Sequence, residues 1–327
     1  MGEENKIRTR PEGGQMLRTR LQSKARVLRV RAVRSLGSAA ARFMSPRLLV
    51  TGATAYEAQV IEDLKTEGVH VSSLARLLPS EPYRDTLERV RALLDRDPPR
   101  VSPAWIRRAS STDLSPQALL ERLPELYMVG LSEPLLRIAE LYLRLPVAYH
   151  GAVLRHSLVD RGSTGPRLWH QDAEDLNVLR VVIYLNDVTS GGGPFEYIPR
   201  SLGVTYRRFS KAGGPLTSEV VERIVPPASW KRVIAPAGTV ILADTAKTFH
   251  HESLQTESER SVMMLGYSSR SPTGAPLAQA HFQVEQVAGL LARIVPVSQH
   301  EHVFGWRRRL SQEQPAVAAA AAAVDAD

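Results

Sequence analysis

Cysteine is absent from the 327 residues of this chain. Its absence excludes a disulfide framework, a thiolate metal site and a cysteine nucleophile. No run of about 18 apolar residues occurs either, so we expect no transmembrane helix. Acidic residues are scarce at the start of the chain, because residues 1–47 hold 12 Lys or Arg and three Glu, a local charge of 12 − 3 = +9.

The other 280 residues carry 30 − 31 = −1, so the net charge of +8 and the pI of 9.9 belong to the N-terminal segment. This distribution excludes a uniformly basic nucleic-acid-binding domain as the main interpretation, and we expect no nucleic acid to bind the core. Hydrophobic residues make up 43% of the chain and charged residues 23%, which is typical of a globular protein.

The segment of residues 1–46 is predicted to be a basic tail. Leu17, Leu21 and Leu28 fall roughly on one helical stripe within residues 15–43. A solvated tail, an amphipathic helix on an anionic membrane or on nucleic acid, and an organellar targeting segment are all compatible with this pattern. Arg outnumbers Lys by 36 to 6, as in GC-rich bacterial genomes. We expect a cytoplasmic protein, with organellar targeting as the alternative.

A single domain is predicted for residues 47–310, and a disordered Ala-rich tail for residues 311–327. Residues 47–145 are expected to form a helical support, with helices over 55–67, 82–95, 115–123 and 133–143. In residues 146–270 the pattern changes to short β-like runs, at 148–159, 167–172, 178–185, 195–198, 204–208, 232–234, 239–243 and 261–268. Residues 275–310 return to helix. Strands of this length with Gly and Pro turns favour a sandwich or barrel.

One of these runs carries the sequence Trp169-His170-Gln171-Asp172. On a strand, residues two apart point to the same face, so His170 and Asp172 are predicted to enter one cavity together. An imidazole beside a carboxylate can supply two neighbouring ligands to a metal ion. Trp169 has the opposite parity and is expected to pack elsewhere.

A further ligand can come from His250 or His251, which follow the apolar run at 239–243. Only one of two adjacent strand residues can point inward. Two histidines and one carboxylate form the facial triad of non-haem Fe(II) oxygenases. Arg260 opens the next apolar run, where a guanidinium can bind the distal carboxylate of a 2-oxoacid. Its position suits this role if its strand pairs with the one that carries His250.

Residues 125–270 resemble the phytanoyl-CoA dioxygenase-like family of Fe(II)/2-oxoglutarate-dependent oxygenases. The resemblance is carried by WHQD at 169–172, VLRVVIYLND at 178–187, GGGPFEYIPRS at 191–201 and GTVILADTAKTFHH at 238–251, together with Arg260. The run LYLRLPVAYHGAVLRHSLV at 141–159 is also similar to the family's entry into its first strand. The resemblance implies a mainly β fold with flanking helices: a double-stranded β-helix, a jelly-roll or cupin-like barrel supported by an N-terminal helical layer.

By position, the resemblance implies that His170, Asp172 and His250 are the iron ligands and that Arg260 binds the C5 carboxylate of 2-oxoglutarate. His250 is preferred to His251 because the family's ligand directly follows the aromatic residue. The cofactors implied are Fe(II), 2-oxoglutarate and O2, and the products succinate and CO2. Related halogenases lack the carboxylate, so Asp172 favours hydroxylation of a small-molecule substrate.

Other candidates are Tyr184 as a second contact to the cosubstrate, and Arg155, His156 and Gln171 as substrate contacts. Arg155 and His156 face opposite sides of their strand, so only one of them is expected in the cavity. Residues 201–234 are expected to shape the pocket entrance, and their basic side chains suggest either an anionic substrate group or a solvated face. Glu174 and Asp175 are interpreted as loop charges.

Two other classes of function are compatible with the sequence. A non-catalytic barrel that binds a metal or small ligand can share the fold. An interaction protein can use the N-terminal segment, through residues 15–43, as a peripheral contact to an anionic membrane. The sequence does not indicate the oligomeric state.

Overall fold

The structure is a computed structural model that describes residues 52–79, 85–99, 102–108, 110–159, 162, 164–254, 257–274 and 284–308. These residues all belong to one compact unit of the chain, Pro46–Asp327. The predictions for residues 1–46 and 311–327, including the amphipathic segment at 15–43, lie outside the described residues.

Two antiparallel sheets form the centre of the described chain. Their strands are β1 (Val69–Ser73), β2 (Trp105–Arg107), β3 (Ser111–Leu114), β4 (Val147–Ser157), β5 (Leu179–Tyr184), β6 (Phe195–Tyr197), β7 (Lys231–Val233), β8 (Thr239–Asp244), β9 (His250–Glu252) and β10 (Arg260–Ser269). The larger sheet has the order β1-β8-β5-β10-β4-β3-β2, and the smaller one β7-β6-β9. The predicted mainly β class, with the two antiparallel sheets of a jelly-roll, is confirmed.

Helices flank the sheets, as predicted. They are α1 (Ala55–Thr66), α2 (Leu74–Leu77), α3 (Thr86–Arg96), α4 (Pro116–Arg122), α5 (Pro124–Val129), α6 (Glu133–Leu143), α7 (Ser218–Glu222) and α8 (Val284–Ile294). Helix α1 begins with a capping box, in which Thr54 accepts from the Glu57 amide and Glu57 accepts from the Thr54 amide. Among the described helices, none is long and apolar enough to cross a membrane.

Strand β5 shows how the sheet separates a core from a cavity. Leu179, Val181 and Ile183 pack against the helices in one large hydrophobic cluster. Val182 and Tyr184 belong to a second cluster on the opposite face of the sheet. Because side chains alternate along a strand and both faces of β5 are covered, the strand reads as an almost continuous apolar run.

Residues 47–145, predicted as a helical support, also contain strands. Strands β1, β2 and β3 lie in this segment, and all three join the larger sheet. Strand β1 pairs with β8, while β3 pairs with β4 at the other side of the sheet. These strands are three to five residues long and depend on long-range partners, so the sequence pattern around them gave little sign of them.

Two local predictions were wrong. Residues 167–172 do not form a regular strand: a 3-10 helix at Gly165–Arg167 leads into isolated bridges at Trp169 and His170. Residues 204–208 enter a second 3-10 helix, Tyr206–Phe209. The strand that begins at Arg260 pairs with β4 and β5, whereas His250 lies on β9 in the smaller sheet. His250 and Arg260 therefore belong to different sheets.

Candidate metal centre and cavity

Three side chains of the predicted ligand set come together in the fold. His170, Asp172 and His250 each offer one ligand atom, and these atoms lie within 4.8 Å of one another. The His170 Nε2 atom is 3.6 Å from Asp172 Oδ1, and the two imidazole rings have their centroids 4.3 Å apart. Among the described residues this is the only group of three or more His, Cys, Asp or Glu side chains with such spacing.

Backbone pairing, rather than one regular strand, brings the three ligands together. The His170 amide donates to the His250 carbonyl at 3.0 Å, and the His250 amide donates back at 3.1 Å. The Asp172 amide donates to the Thr245 carbonyl at 2.9 Å. The segment that carries His170 and Asp172 is thereby fixed directly to the segment that carries His250.

Both histidines are held with the Nε2 atom available to a metal. His170 Nδ1 lies 2.7 Å from the Leu168 carbonyl, and His250 Nδ1 lies 3.0 Å from the Thr248 carbonyl. A carbonyl can only accept, so each Nδ1 carries a proton, and in the neutral imidazole the lone pair then lies on Nε2. Hydrogen bonds of this kind orient metal-binding imidazoles in proteins.

Burial keeps His250 neutral near physiological pH. It lowers the pKa of His250 to about 4, with a further lowering from the nearby His170. Metal binding requires a deprotonated imidazole, so protons compete weakly with a cation at His250.

Asp172 is held ionised by a buried arginine. Burial alone raises the pKa of Asp172, but Arg180 and the two histidines outweigh it and hold the pKa well below its ordinary value. Arg180 Nη2 donates to Asp172 Oδ2 at 2.9 Å and to Glu174 Oε1 at 2.6 Å. Oδ2 is thus engaged, and Oδ1 faces the histidines.

A glycine makes room for this arginine. Arg180 pairs with Gly266 across β5 and β10, and a Cβ atom on Gly266 would lie 2.6 Å from Arg180 Nη1. A side chain at position 266 would therefore push the guanidinium away from Asp172. Arg180 was not singled out from the sequence. Glu174 and Asp175 lie in a loop, in keeping with their interpretation as loop charges, but both are buried.

Arg260 lies buried in the same cavity, 4% exposed. Its Nη1 atom donates to the Gly193 carbonyl at 2.5 Å, and its Nη2 atom forms an ion pair with Glu252. Its Nε atom is buried without a hydrogen-bond partner in the described structure. The guanidinium therefore keeps donor capacity for one more acceptor.

Tyr184 lies against Arg260 but is otherwise engaged. Its hydroxyl donates to the Val233 carbonyl at 3.0 Å and accepts from the Phe195 amide at 2.9 Å. Burial raises the pKa of Tyr184, although the nearby Arg260 lowers it in part. The single hydroxyl proton is committed to Val233, so the structure does not support Tyr184 as a hydrogen-bond donor to a cosubstrate.

The cavity around these groups has a volume of about 630 Å³ and is lined from both sheets. Val153, Val182, Val262, Met264 and Phe195 supply its apolar wall. The ionised residues that line it are Arg108, Asp113, Arg155, Asp172, Glu174, Arg180, Glu252 and Arg260. From residues 201–234, only Tyr206, Gly214 and Pro215 reach the lining.

The structure separates the three candidate substrate contacts. Arg155 lines the cavity, and so does Gln171, whose amide donates to the Lys247 carbonyl at 2.8 Å. His156 lies on the other face of β4, where its ring nitrogens contact Ser261 and Glu259 at 2.9 Å each. Of the adjacent pair, Arg155 is the residue in the cavity, and the assignment of His156 to the pocket is corrected.

His251 is placed away from the ligand set. Its Nε2 atom contacts Glu196 at 2.8 Å, its Nδ1 atom contacts the Arg167 carbonyl at 3.1 Å, and its ring stacks on Trp169. Trp169 is fully buried by this contact and by Trp230. Strand parity alone did not decide between the two histidines. The structure places His250, and not His251, in the ligand set.

Comparison with known proteins gives fold-level similarity only. No protein-family model and no curated protein matches the chain. Among solved structures, HygX from Streptomyces hygroscopicus, with nickel and 2-oxoglutarate bound, is 15% identical over 67% of this chain and 88% of its own, with a TM-score of 0.45. EctD from S. alaskensis, with 2-oxoglutarate and 5-hydroxyectoine, is 18% identical over 69% and 81%, with a TM-score of 0.48.

A third similar structure is the epimerase SnoN from nogalamycin biosynthesis, in complex with Fe3+, alpha ketoglutarate and nogalamycin RO. It is 14% identical over 68% of this chain and 89% of its own, with a TM-score of 0.49. At these levels of similarity, the chemistry of this chain has to be argued from its own side chains.

Proposed function

We propose that this protein is an Fe(II)- and 2-oxoglutarate-dependent oxygenase that acts on a small molecule. The observation that carries the proposal is the ligand set of His170, Asp172 and His250, with both Nδ1 atoms tied to backbone carbonyls. Two imidazoles and one carboxylate form the donor set of non-haem Fe(II) oxygenases and leave other coordination positions for exogenous ligands.

The donor set fits Fe(II) in charge as well as in geometry. Neutral imidazoles and an ionised carboxylate are the protonation states that a divalent cation requires. Arg180 engages the second oxygen of Asp172, which orients the carboxylate with Oδ1 toward the histidines. When bound, iron and 2-oxoglutarate supply, with O2, the oxidising power to attack an unactivated C–H bond, with release of succinate and CO2.

Arg260 would hold the distal carboxylate of 2-oxoglutarate. A guanidinium that is buried and has an unused Nε donor forms strong charge-assisted hydrogen bonds. Gly193 fixes the opposite side of the group through Nη1, so its orientation is set before the ligand enters.

The remaining residues exclude water and position the substrate. Val153, Val182, Val262 and Met264 form an apolar wall beside the metal ligands. A site of this kind restricts solvent access to reactive intermediates and presents a C–H bond to the oxidant. We propose hydroxylation as the outcome, because the retained Asp172 leaves no ligand position for a halide.

The test is anaerobic titration of the purified full chain with Fe(II) and then with 2-oxoglutarate. A weak visible metal-to-ligand charge-transfer band is expected to appear only when both are present. His170→Ala is expected to abolish the band, and Arg260→Ala to raise the concentration of 2-oxoglutarate required for it. His300→Ala is the matched control, because this histidine lies outside the cavity and contacts the Val295 carbonyl. Absence of the band in folded wild-type protein would refute the proposal.

A second candidate is a non-catalytic protein of the same fold that binds a metal or a small ligand. The ion pair of Glu252 with Arg260 favours it, because a carboxylate of the chain already engages the expected cosubstrate anchor. The same titration separates the two candidates. Metal binding without any response to 2-oxoglutarate indicates the second, and product analysis for added oxygen, ring closure or epimerisation then defines the reaction of the first.

A further inference from the structure

An ionic cluster of two arginines and one aspartate forms part of the cavity wall. Asp113 on β3 pairs with Arg155 on the neighbouring strand β4, and Arg108 directly follows β2. All three residues line the cavity that contains the metal ligands. We call Arg108, Asp113 and Arg155 the arginine cluster.

The cluster contains more positive than negative charge. Arg155 Nε donates to Asp113 Oδ1 at 2.7 Å, and Arg155 Nη2 donates to Oδ2 at 3.0 Å. Arg108 Nε donates to the same Oδ2 at 3.1 Å. Two guanidinium groups thus share one carboxylate, and the side chains of Asp113 and Arg155 are 7% and 20% exposed. Glu252 attracts Arg155 over a longer range, but its ion pair is with Arg260.

Arg108 has an open edge that suits an anion. Asp113 holds its Nε atom, and within the described chain its Nη1 and Nη2 atoms have no partner. These two nitrogens form the edge of a guanidinium that binds carboxylate or phosphate with two parallel hydrogen bonds. The side chain is 55% exposed, so a ligand entering the cavity can reach it.

Two charged groups in the cavity lining carry opposite excess charge. At the metal ligands, Arg180 is shared by the two carboxylates of Asp172 and Glu174. At the arginine cluster, one carboxylate is shared by two guanidinium groups. The first arrangement complements a cation. By the same reasoning, the second complements an anion.

We propose that the arginine cluster binds an anionic group, a carboxylate or a phosphate, of the organic substrate. This inference rests on the proposed function and defines its substrate class: a small organic anion that lies along the apolar wall with its charged end at Arg108. The exposed basic residues of 201–234 are not the anion site of the cavity, because none of them lines it. Lys231 and Arg232 instead pair with Glu67 and Glu196.

The experiment measures binding of hexanoate and of its neutral analogue hexanamide by calorimetry, with inorganic phosphate as a second anion. The full chain is used under anaerobic conditions with Fe(II) and saturating 2-oxoglutarate, and again without metal. We expect wild type to bind hexanoate about tenfold more tightly than hexanamide, which corresponds to about 1.4 kcal/mol. Arg108→Gln is expected to reduce this preference to within about twofold, since one of the two charges is lost.

Arg107→Gln is the matched control, because Arg107 is an exposed neighbour on β2 that does not line the cavity. It is expected to leave the preference unchanged. Both substitutions are at exposed positions, so both proteins should fold, and their melting temperatures check this. Equal binding of hexanoate and hexanamide in wild type, or an unchanged preference in Arg108→Gln, would overturn the inference.

The distal carboxylate of 2-oxoglutarate is the alternative anion for the arginine cluster. The dissociation constant of 2-oxoglutarate, read from the charge-transfer band, distinguishes this carboxylate from a substrate anion. We expect Arg260→Gln to raise it and Arg108→Gln to leave it unchanged. If Arg108→Gln raises it instead, the cluster holds the cosubstrate and the inference fails. Absence of the band altogether would count against the proposed function, while the metal-free calorimetry would still test the cluster.

Discussion

Glu252 and Arg260 form a buried ion pair inside the cavity, with Glu252 two residues beyond His250 on β9. A dicarboxylate cosubstrate that binds Arg260 has to share the guanidinium with this internal carboxylate. If the proposed function is right, we expect this pair to set the affinity of the cavity for 2-oxoglutarate.

Removing the charge of Glu252 is expected to strengthen cosubstrate binding. In Glu252→Gln, Arg260 keeps a neighbour of the same shape but no longer faces a competing negative charge, so the dissociation constant of 2-oxoglutarate should fall about tenfold. Anaerobic titration of the charge-transfer band measures it. Glu257→Gln is the control, because Glu257 is an exposed residue between β9 and β10. Weaker binding in Glu252→Gln would show that Glu252 supports the cosubstrate instead.

Arg180 is predicted to control metal affinity through Asp172. Arg180→Gln removes the charge that holds the pKa of Asp172 low and frees its Oδ2 atom, so the carboxylate is oriented less well. Loss of such a contact to a metal ligand typically costs about 10- to 100-fold in affinity. Calorimetry with Mn2+ or Ni2+ measures the change. Arg137→Gln is the matched control, because Arg137 forms an ion pair with Glu57 outside the cavity; an equal loss there would point to general destabilisation.

The two adjacent histidines are predicted to have different roles. His250→Ala is expected to abolish metal binding, whereas His251→Ala should retain it. His251→Ala leaves Glu196 without its 2.8 Å contact and removes a ring from the Trp169 stack, so the free energy of unfolding should fall by about 2 kcal/mol. Chemical denaturation and metal titration of the two variants separate these effects. Loss of metal binding in a folded His251→Ala protein would contradict the assignment.

Asp113 is predicted to contribute a pH-dependent part of the stability. Burial raises the pKa of Asp113, but Arg155 and Arg108 outweigh it, so the pKa in the folded protein lies below the unfolded value of about 3.9. The unfolded state then binds more protons, and the contribution is complete above about pH 5 and is lost as the pH falls through 4 and below.

The matching variant is Asp113→Asn, which removes the carboxylate that pairs with Arg155. Its free energy of unfolding should be about 3 kcal/mol lower than that of wild type at pH 7. The difference should shrink below about pH 4, because the unfolded wild-type chain then takes up a proton on Asp113 that the folded protein binds only at lower pH. Urea denaturation at pH 7, 5 and 3.5 measures it, and a difference that is constant with pH would contradict the role of the charge.

Local sequence patterns predicted the helices and long strands well, because those elements repeat their apolar residues with a regular period. The prediction of α6 over residues 133–143 matches Glu133–Leu143, and the long strands β4, β5, β8 and β10 lie within a few residues of their predicted ends. The short strands β1, β2, β3 and β9 were not predicted, because three to five residues hold too little pattern and their pairing partners are distant.

The types of the ligand residues follow from the sequence alone. The spacing of His170 and Asp172, with His250 and Arg260 downstream, indicates iron chemistry. It did not determine which of Arg155 and His156 enters the cavity, or that Arg180, Glu174, Glu252 and Arg108 are charged groups of the same site.

These points depend on the folded arrangement of the chain. Each of them depends on which strand faces which across the cavity, and that arrangement arises from hydrogen bonds between segments far apart in the chain. The His170 and His250 backbone bridge joins residues 80 positions apart, and the pairing of Arg180 with Gly266 leaves the space that the guanidinium fills. The position of a charged residue in the sequence does not identify its ion-pair partner, because ion pairs form through space and not along the chain.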